Sequence, residues 1–137
     1  MIEMFGWRKS LLSSVGALGI SVAAVTVAAP STSADIWQAT VSPGMSVGLG
    51  GTQYGTSCTY TVTVEGSRWT NVWFDDNVSA SFAPISINLG SSGRATTSWT
   101  PHAPGWHRID VWSPDSDRGI WVNVGIGINL GSACVVR

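Results

Sequence analysis

Seven tryptophans stand among residues 35–137 of this chain: Trp37, Trp69, Trp73, Trp99, Trp106, Trp112 and Trp121. An indole stacks its face on sugar rings and on guanidinium groups, so tryptophans gathered on one surface form a binding platform. Placed inside a core, the same residues only fill space. Alternation along a strand separates the two cases, because successive side chains point to opposite faces. With Val72 and Phe74 inward, Trp69, Asn71 and Trp73 point outward. With Ile109 and Val111 inward, Trp106, Arg108, Asp110 and Trp112 point outward. With Val122 and Val124 inward, Trp121 and Asn123 point outward. Where these three strands are neighbours, Trp69, Trp73, Trp106, Arg108, Trp112 and Trp121 share one outer face and form the candidate ligand-binding site. A slip of one residue in register would reverse the face. Trp99 is in phase with Ala95 and Thr97 and is expected in the core.

Other residue types offer less chemistry. Asp115-x-Asp117-x-Gly119 has the spacing of half a calcium loop but lacks a third ligand and a distal Glu. Asp and Gly at such a place ordinarily serve the turn itself, and Asp75-Asp76-Asn77 reads the same way. His102 and His107 are the two histidines. No Gly-x-Ser-x-Gly elbow accompanies them, and no second His at metal-binding spacing. The residues point to no catalytic centre, no metal site and no cofactor.

The N-terminal stretch predicts export. Arg8 and Lys9 precede an uncharged apolar or small run from Leu11 to Ala29, Pro30 ends it, and Thr32-Ser33-Ala34 offers small residues before Asp35. These are the three parts of a signal peptide. The expectation is a signal-peptide helix in residues 1–34 and a mature domain of residues 35–137. The rival reading is a retained anchor, since the nineteen-residue run reaches spanning length. The run is rich in Ala, Gly and Ser, and no aromatic belt or basic stop-transfer cluster follows it. After cleavage no stable membrane insertion is expected.

Residues 35–137 hold five Arg, no Lys and seven acids, a formal charge of −2. Without a basic stripe, nucleic acid is excluded as a partner, and so is an anionic membrane surface. Cys58 and Cys134 form an even pair in a small exported domain, which predicts a disulfide. A loop that long contributes roughly 4–5 kcal/mol in the chain-entropy account.

Within residues 35–137 almost no segment has helical periodicity, and turn residues recur at short spacing. Thr56 to Glu65 alternates Cys58, Tyr60, Val62 and Val64 against Thr59, Thr61, Thr63 and Glu65, the pattern of a strand wet on one side. Further strands are predicted at Asn71 to Asp75, Ile85 to Leu89, Ala95 to Thr100 and Trp106 to Trp112. A long turn is predicted over Ser113 to Gly119, followed by a last strand from Ile120 to Leu130. Ile36 to Val41 and Ser46 to Leu49 are weaker candidates. This gives about seven or eight short antiparallel strands, the number of an immunoglobulin-like β-sandwich.

Three stretches carry a resemblance: Val72-Trp73-Phe74-Asp75-Asp76-Asn77, Gly93-Arg94-Ala95-Thr96-Thr97-Ser98-Trp99-Thr100-Pro101 and Ala103-Pro104-Gly105-Trp106-His107-Arg108-Ile109. With them the chain resembles the bacterial immunoglobulin-like repeat domains of exported and surface proteins, over roughly Val41 to Leu130. The resemblance implies an all-β sandwich and a structural role for His107, and it is nearly silent on function. The chain departs from that family in having room for a single copy and in carrying a cysteine pair. In an immunoglobulin topology Cys58 and Cys134 lie at the same pole, where a bridge pins the C-terminal tail.

The sequence thus predicts a secreted or envelope-located, non-catalytic binding module whose tryptophan face takes a glycan, an envelope polymer or a protein. The alternative is a structural or adhesive envelope protein that self-associates or docks to a protein partner.

Overall fold

The computed structural model describes residues 35–137. The expected signal peptide in residues 1–34 lies outside the described residues. Twelve strands follow one another: β1 (Ile36–Ser42), β2 (Ser46–Gly48), β3 (Tyr54–Gly55), β4 (Tyr60–Gly66), β5 (Asn71–Asp76), β6 (Ala80–Ala83), β7 (Ser86–Asn88), β8 (Arg94–Pro101), β9 (Gly105–Trp112), β10 (Asp117–Gly125), β11 (Gly127–Asn129) and β12 (Cys134–Val136). They form a four-stranded sheet ordered β1-β4-β8-β6, a five-stranded sheet ordered β3-β10-β9-β5-β7, and a three-stranded sheet ordered β11-β12-β2. The first two reproduce the A-B-E-D and G-F-C arrangement of an immunoglobulin-like sandwich, as the sequence and the resemblance led us to expect.

The core follows from alternation. Tyr60, Val62 and Val64 of β4 and Thr97 and Trp99 of β8 point inward from one sheet. Val72 and Phe74 of β5, Ile109 and Val111 of β9, and Val122 and Val124 of β10 point inward from the other. Trp99 is fully buried, as predicted, with its ring 5.8 Å from Tyr60 and 5.9 Å from His107 between centroids. The Cys58–Cys134 disulfide is present, with Cα atoms 6.2 Å apart, and it ties the approach to β4 to the start of β12.

Several boundaries differ from the sequence reading. The predicted strand Thr56 to Glu65 begins only at Tyr60, because Ser57 takes a left-handed conformation (φ 66°) and Cys58 N–H closes a turn onto Gly55 C=O. The long turn after β9 is shorter than predicted. Ser113 N–H donates to Ser116 C=O, so Asp117, Arg118 and Gly119 already belong to β10. Of Ile85 to Leu89, three residues pair as β7; Ile85 is exposed, and β6 precedes them where no strand was predicted. Asp75 and Asp76 end β5 instead of forming a turn. The strands exceed seven or eight because several are pieces of two to four residues, and two pairings, β3 with β10 and β12 with β2, are parallel.

The largest correction concerns Ile120 to Leu130. The chain leaves the five-stranded sheet after Gly125 and enters the three-stranded one at Gly127. Gly127 passes so close to the Thr56 carbonyl that an added Cβ would lie 2.4 Å from its oxygen. Only glycine permits that approach. Ile126, Ile128 and Leu130 keep their phase but change sheet, and so they are exposed instead of buried.

Candidate ligand-binding face

β5, β9 and β10 are adjacent, so their outward residues line up in rows across one face. Trp73 lies opposite Trp112, and Trp112 opposite Asp117. Two residues further along, Asp75 lies opposite Asp110 and Asp110 opposite Gly119. Next comes Arg108 opposite Trp121, then Trp106 opposite Asn123. Rows are separated by about 7 Å, twice the rise per residue of a strand.

The face therefore has two aromatic stations with a polar strip between them. At one, Trp73 and Trp112 stack with ring centroids 4.9 Å apart and planes 19° from parallel. Stacking half-covers Trp73 and leaves the outer side of Trp112 open. At the other, Trp121 and Trp106 are 61% and 62% exposed. Between them the Arg108 guanidinium pairs with the Asp110 carboxylate at 3.1 Å. Gly119 makes room for it: a Cβ there would meet Arg108 Nε at 2.4 Å. An exposed pair of this kind adds little stability, but it lays a flat cation and an anion across the face. Asn77 fixes the Arg108 backbone by accepting its N–H at 2.8 Å.

The second station continues into a groove of about 580 Å³ lined by Trp106, Trp121 and Asn123 together with Thr40, Val41 and Thr52. That volume falls in the range of ligand pockets. Trp69 is exposed but stands apart from the ladder. It sits in the turn before β5 with φ 63°, its N–H donating to Gly90 C=O and its carbonyl accepting from Asn88 Nδ2. The rows thus bring together Trp73, Trp106, Arg108, Trp112 and Trp121, and leave Trp69 at the end of the strand.

Two polar clusters were missed by the sequence reading. Asp76, beside Ile109 of β9, buries its carboxylate and accepts from Trp99 Nε1 at 2.9 Å and from the Val78 N–H at 2.9 Å. It also contacts His107 Nδ1 at 2.8 Å. His107 is fully buried and its Nε2 lies 2.6 Å from the Ala103 carbonyl oxygen. A carbonyl only accepts, so Nε2–H is the donor to Ala103, and Nδ1 faces the Asp76 carboxylate. The cluster fixes the loop after β8 to the end of β5 and gives His107 the structural role that the resemblance implied. Only its position two residues after Phe74 marks Asp76 in the sequence, and a strand-end Asp at that place also fits a turn. The second cluster is Ser81 Oγ with His102 Nε2, 2.7 Å apart at the exposed edge of β6. A nucleophilic serine needs a carboxylate behind its base and donors for an oxyanion, and among the described residues no hydrogen bond or ion pair joins His102 to a carboxylate. No group of three or more potential metal ligands occurs among the described residues, the Asp115–Gly119 stretch included.

No protein-family model matches the chain, and no curated protein does. Among solved structures it is similar to the D00-D0 domain of intimin, at 15% identity and a TM-score of 0.48, over 64% of this chain and 44% of that one. A C-terminal 282-residue fragment of intimin, solved with the intimin-binding domain of the translocated intimin receptor, gives 15% identity and a TM-score of 0.49, over 66% of this chain and 33% of that one. Domains 5–6 of the S-layer protein SbsC give 21% identity and a TM-score of 0.43, over 69% of this chain and 46% of that one. The chain thus spans less than half the length of each.

Proposed function

We propose that this protein is an exported, non-catalytic immunoglobulin-like binding module whose tryptophan-bearing sheet face holds a glycan chain or another polymer of the cell envelope. The observation that carries this reading is the arrangement of two indole stations on one continuous sheet face, with Arg108 and Asp110 between them. Trp121 and Trp106 stand four and six residues along the strands from the Trp73–Trp112 row, about 13 and 20 Å, separations that suit ring stacking at two points of an extended polymer. The charged strip between them supplies a donor and an acceptor for hydroxyl groups. The disulfide supports an oxidising location outside the cytoplasm.

Titration of the full chain with soluble cell-wall glycan fragments, followed by tryptophan emission, tests the reading. Saturable quenching is expected, weakened about tenfold, or 1.4 kcal/mol, by Trp121→Ala or Trp73→Ala. Emission that stays unchanged for every glycan, or quenching indifferent to both variants, would overturn it. A second reading takes the same face as a protein-docking surface, because Trp and Arg are the residue types that dominate protein interfaces.

A further inference from the structure

The three-stranded sheet presents a second surface, separate from the tryptophan face. Val47, Val135 and Ile128 lie side by side across β2, β12 and β11. Backbone hydrogen bonds continue the ladder one residue either way: Leu130 N–H to Ala133 C=O, Cys134 N–H to Met45 C=O, Leu49 N–H to Val136 C=O, and a reciprocal pair between Ile126 and Arg137. The outer side is therefore a three-by-three grid. Its rows are Leu130, Ala133 and Met45; Ile128, Val135 and Val47; Ile126, Arg137 and Leu49.

Eight of the nine positions are apolar and the single charge, Arg137, stands at an edge. Met45 and Leu49 are 74% and 70% exposed, and Leu130 is 62% exposed. The inner side is fixed: Cys134 and Val136 are buried, and the disulfide anchors β12 to the sandwich. The grid is thus a preformed apolar sheet face.

We propose that this face is the interface at which two copies of the chain associate, three-stranded sheet against three-stranded sheet, about a two-fold axis. Met45, Leu49, Leu130, Val47, Ile126 and Ile128 are each 47–74% exposed, an apolar area on the order of the roughly 800 Å² per partner that a standard interface buries. Monomers rarely leave a contiguous apolar patch above about 300–600 Å² bare. A flat, nearly uncharged grid is complementary to itself, as an isologous contact requires, and two such faces pack in the way of aligned sheets. A lipid surface fits less well, since the grid lacks the aromatic residues and the basic cluster that hold proteins at a bilayer.

The test is sedimentation of the full chain from low-micromolar to near-millimolar concentration, for wild type, Val135→Asp and Leu130→Asp. Val135 is the centre of the grid; Leu130 lies outside the strands, where an exposed substitution leaves folding intact even should Val135→Asp not fold. The wild type is expected to pass from monomer to dimer. Each folded variant is expected to weaken association about tenfold or more, since a carboxylate would be carried from water into an apolar contact. A wild type that stays monomeric throughout would overturn the proposal, as would a dimer that Leu130→Asp leaves intact. Monomeric wild type binding to phosphatidylcholine vesicles, with that binding lost in the variants, would replace the second copy with a lipid surface.

Discussion

The two exposed faces are built on opposite plans. The tryptophan face lies on long strands, β9 with eight residues and β10 with nine, directly over the core. The aliphatic grid lies on three strands of three residues each, held to the sandwich by a disulfide and by close glycine contacts. The first interleaves indoles with Asp110, Arg108 and Asn123; the second carries one charge in nine positions. Aromatic rings among charges suit an oriented ligand with hydroxyl groups. A flat aliphatic sheet offers area without direction and suits another sheet. Composition by itself gives only an apolar surface in both cases, and it is the polar residues between the apolar ones that distinguish them.

The disulfide gives the sharpest way to separate the regions. Removing it with Cys58→Ser and Cys134→Ser is expected to lower stability by about 4 kcal/mol in urea unfolding. The grid rests on β12, so dimerisation should be lost even under conditions where the sandwich stays folded and the tryptophan face still binds. Equal loss of both functions at native concentration would show that the two regions are one cooperative unit.

Asp76→Ala is expected to do the opposite and damage both faces together. It leaves buried Trp99 Nε1 without its acceptor and buried His107 Nδ1 without its carboxylate partner at the end of β5. A loss of about 3–5 kcal/mol is expected, read by thermal and urea unfolding. A near-neutral result would mean that the cluster is not what joins the loop after β8 to β5.

Gly119→Thr probes the tryptophan face alone. The new Cβ displaces only the flexible end of Arg108, so unfolding should shift by less than about 1 kcal/mol. Glycan quenching should weaken while sedimentation is unchanged. Retained glycan affinity would remove Arg108 from the binding surface.

The smallest effect is expected from pH. Burial, and to a lesser degree the neighbouring Tyr60, raises the Tyr54 hydroxyl above its ordinary value of 10.0. The hydroxyl donates to the Val41 carbonyl at 3.1 Å. The folded state therefore favours the protonated form. That contribution is complete below the unfolded value and is lost as pH rises through the folded one. Stability should decline above about pH 10, and Tyr54→Phe should flatten that decline.

What the sequence disclosed and what it concealed have a common physical cause. Period-two alternation reports which side of a strand is buried, and it placed Tyr60, Val62, Val64, Phe74, Ile109 and Val111 inside. The same alternation put Trp73, Trp106, Trp112 and Trp121 on one outer face. It does not report which sheet a strand belongs to. Ile120 to Leu130 holds one phase throughout, yet it crosses from one sheet to another at Gly125–Gly127, and its last three apolar residues turn from core into surface. Asp76 was concealed for a different reason: its partners Trp99 and His107 come from distant strands, and only folding brings them within hydrogen-bond reach.

Independence of the two surfaces can be read from one crossed measurement. Wild type, Trp121→Ala and Leu130→Asp are each assayed for glycan quenching and for sedimentation. Trp121→Ala is expected to lose quenching and keep the dimer, while Leu130→Asp is expected to lose the dimer and keep quenching. A single variant that abolishes both, with its fold intact, would contradict that independence.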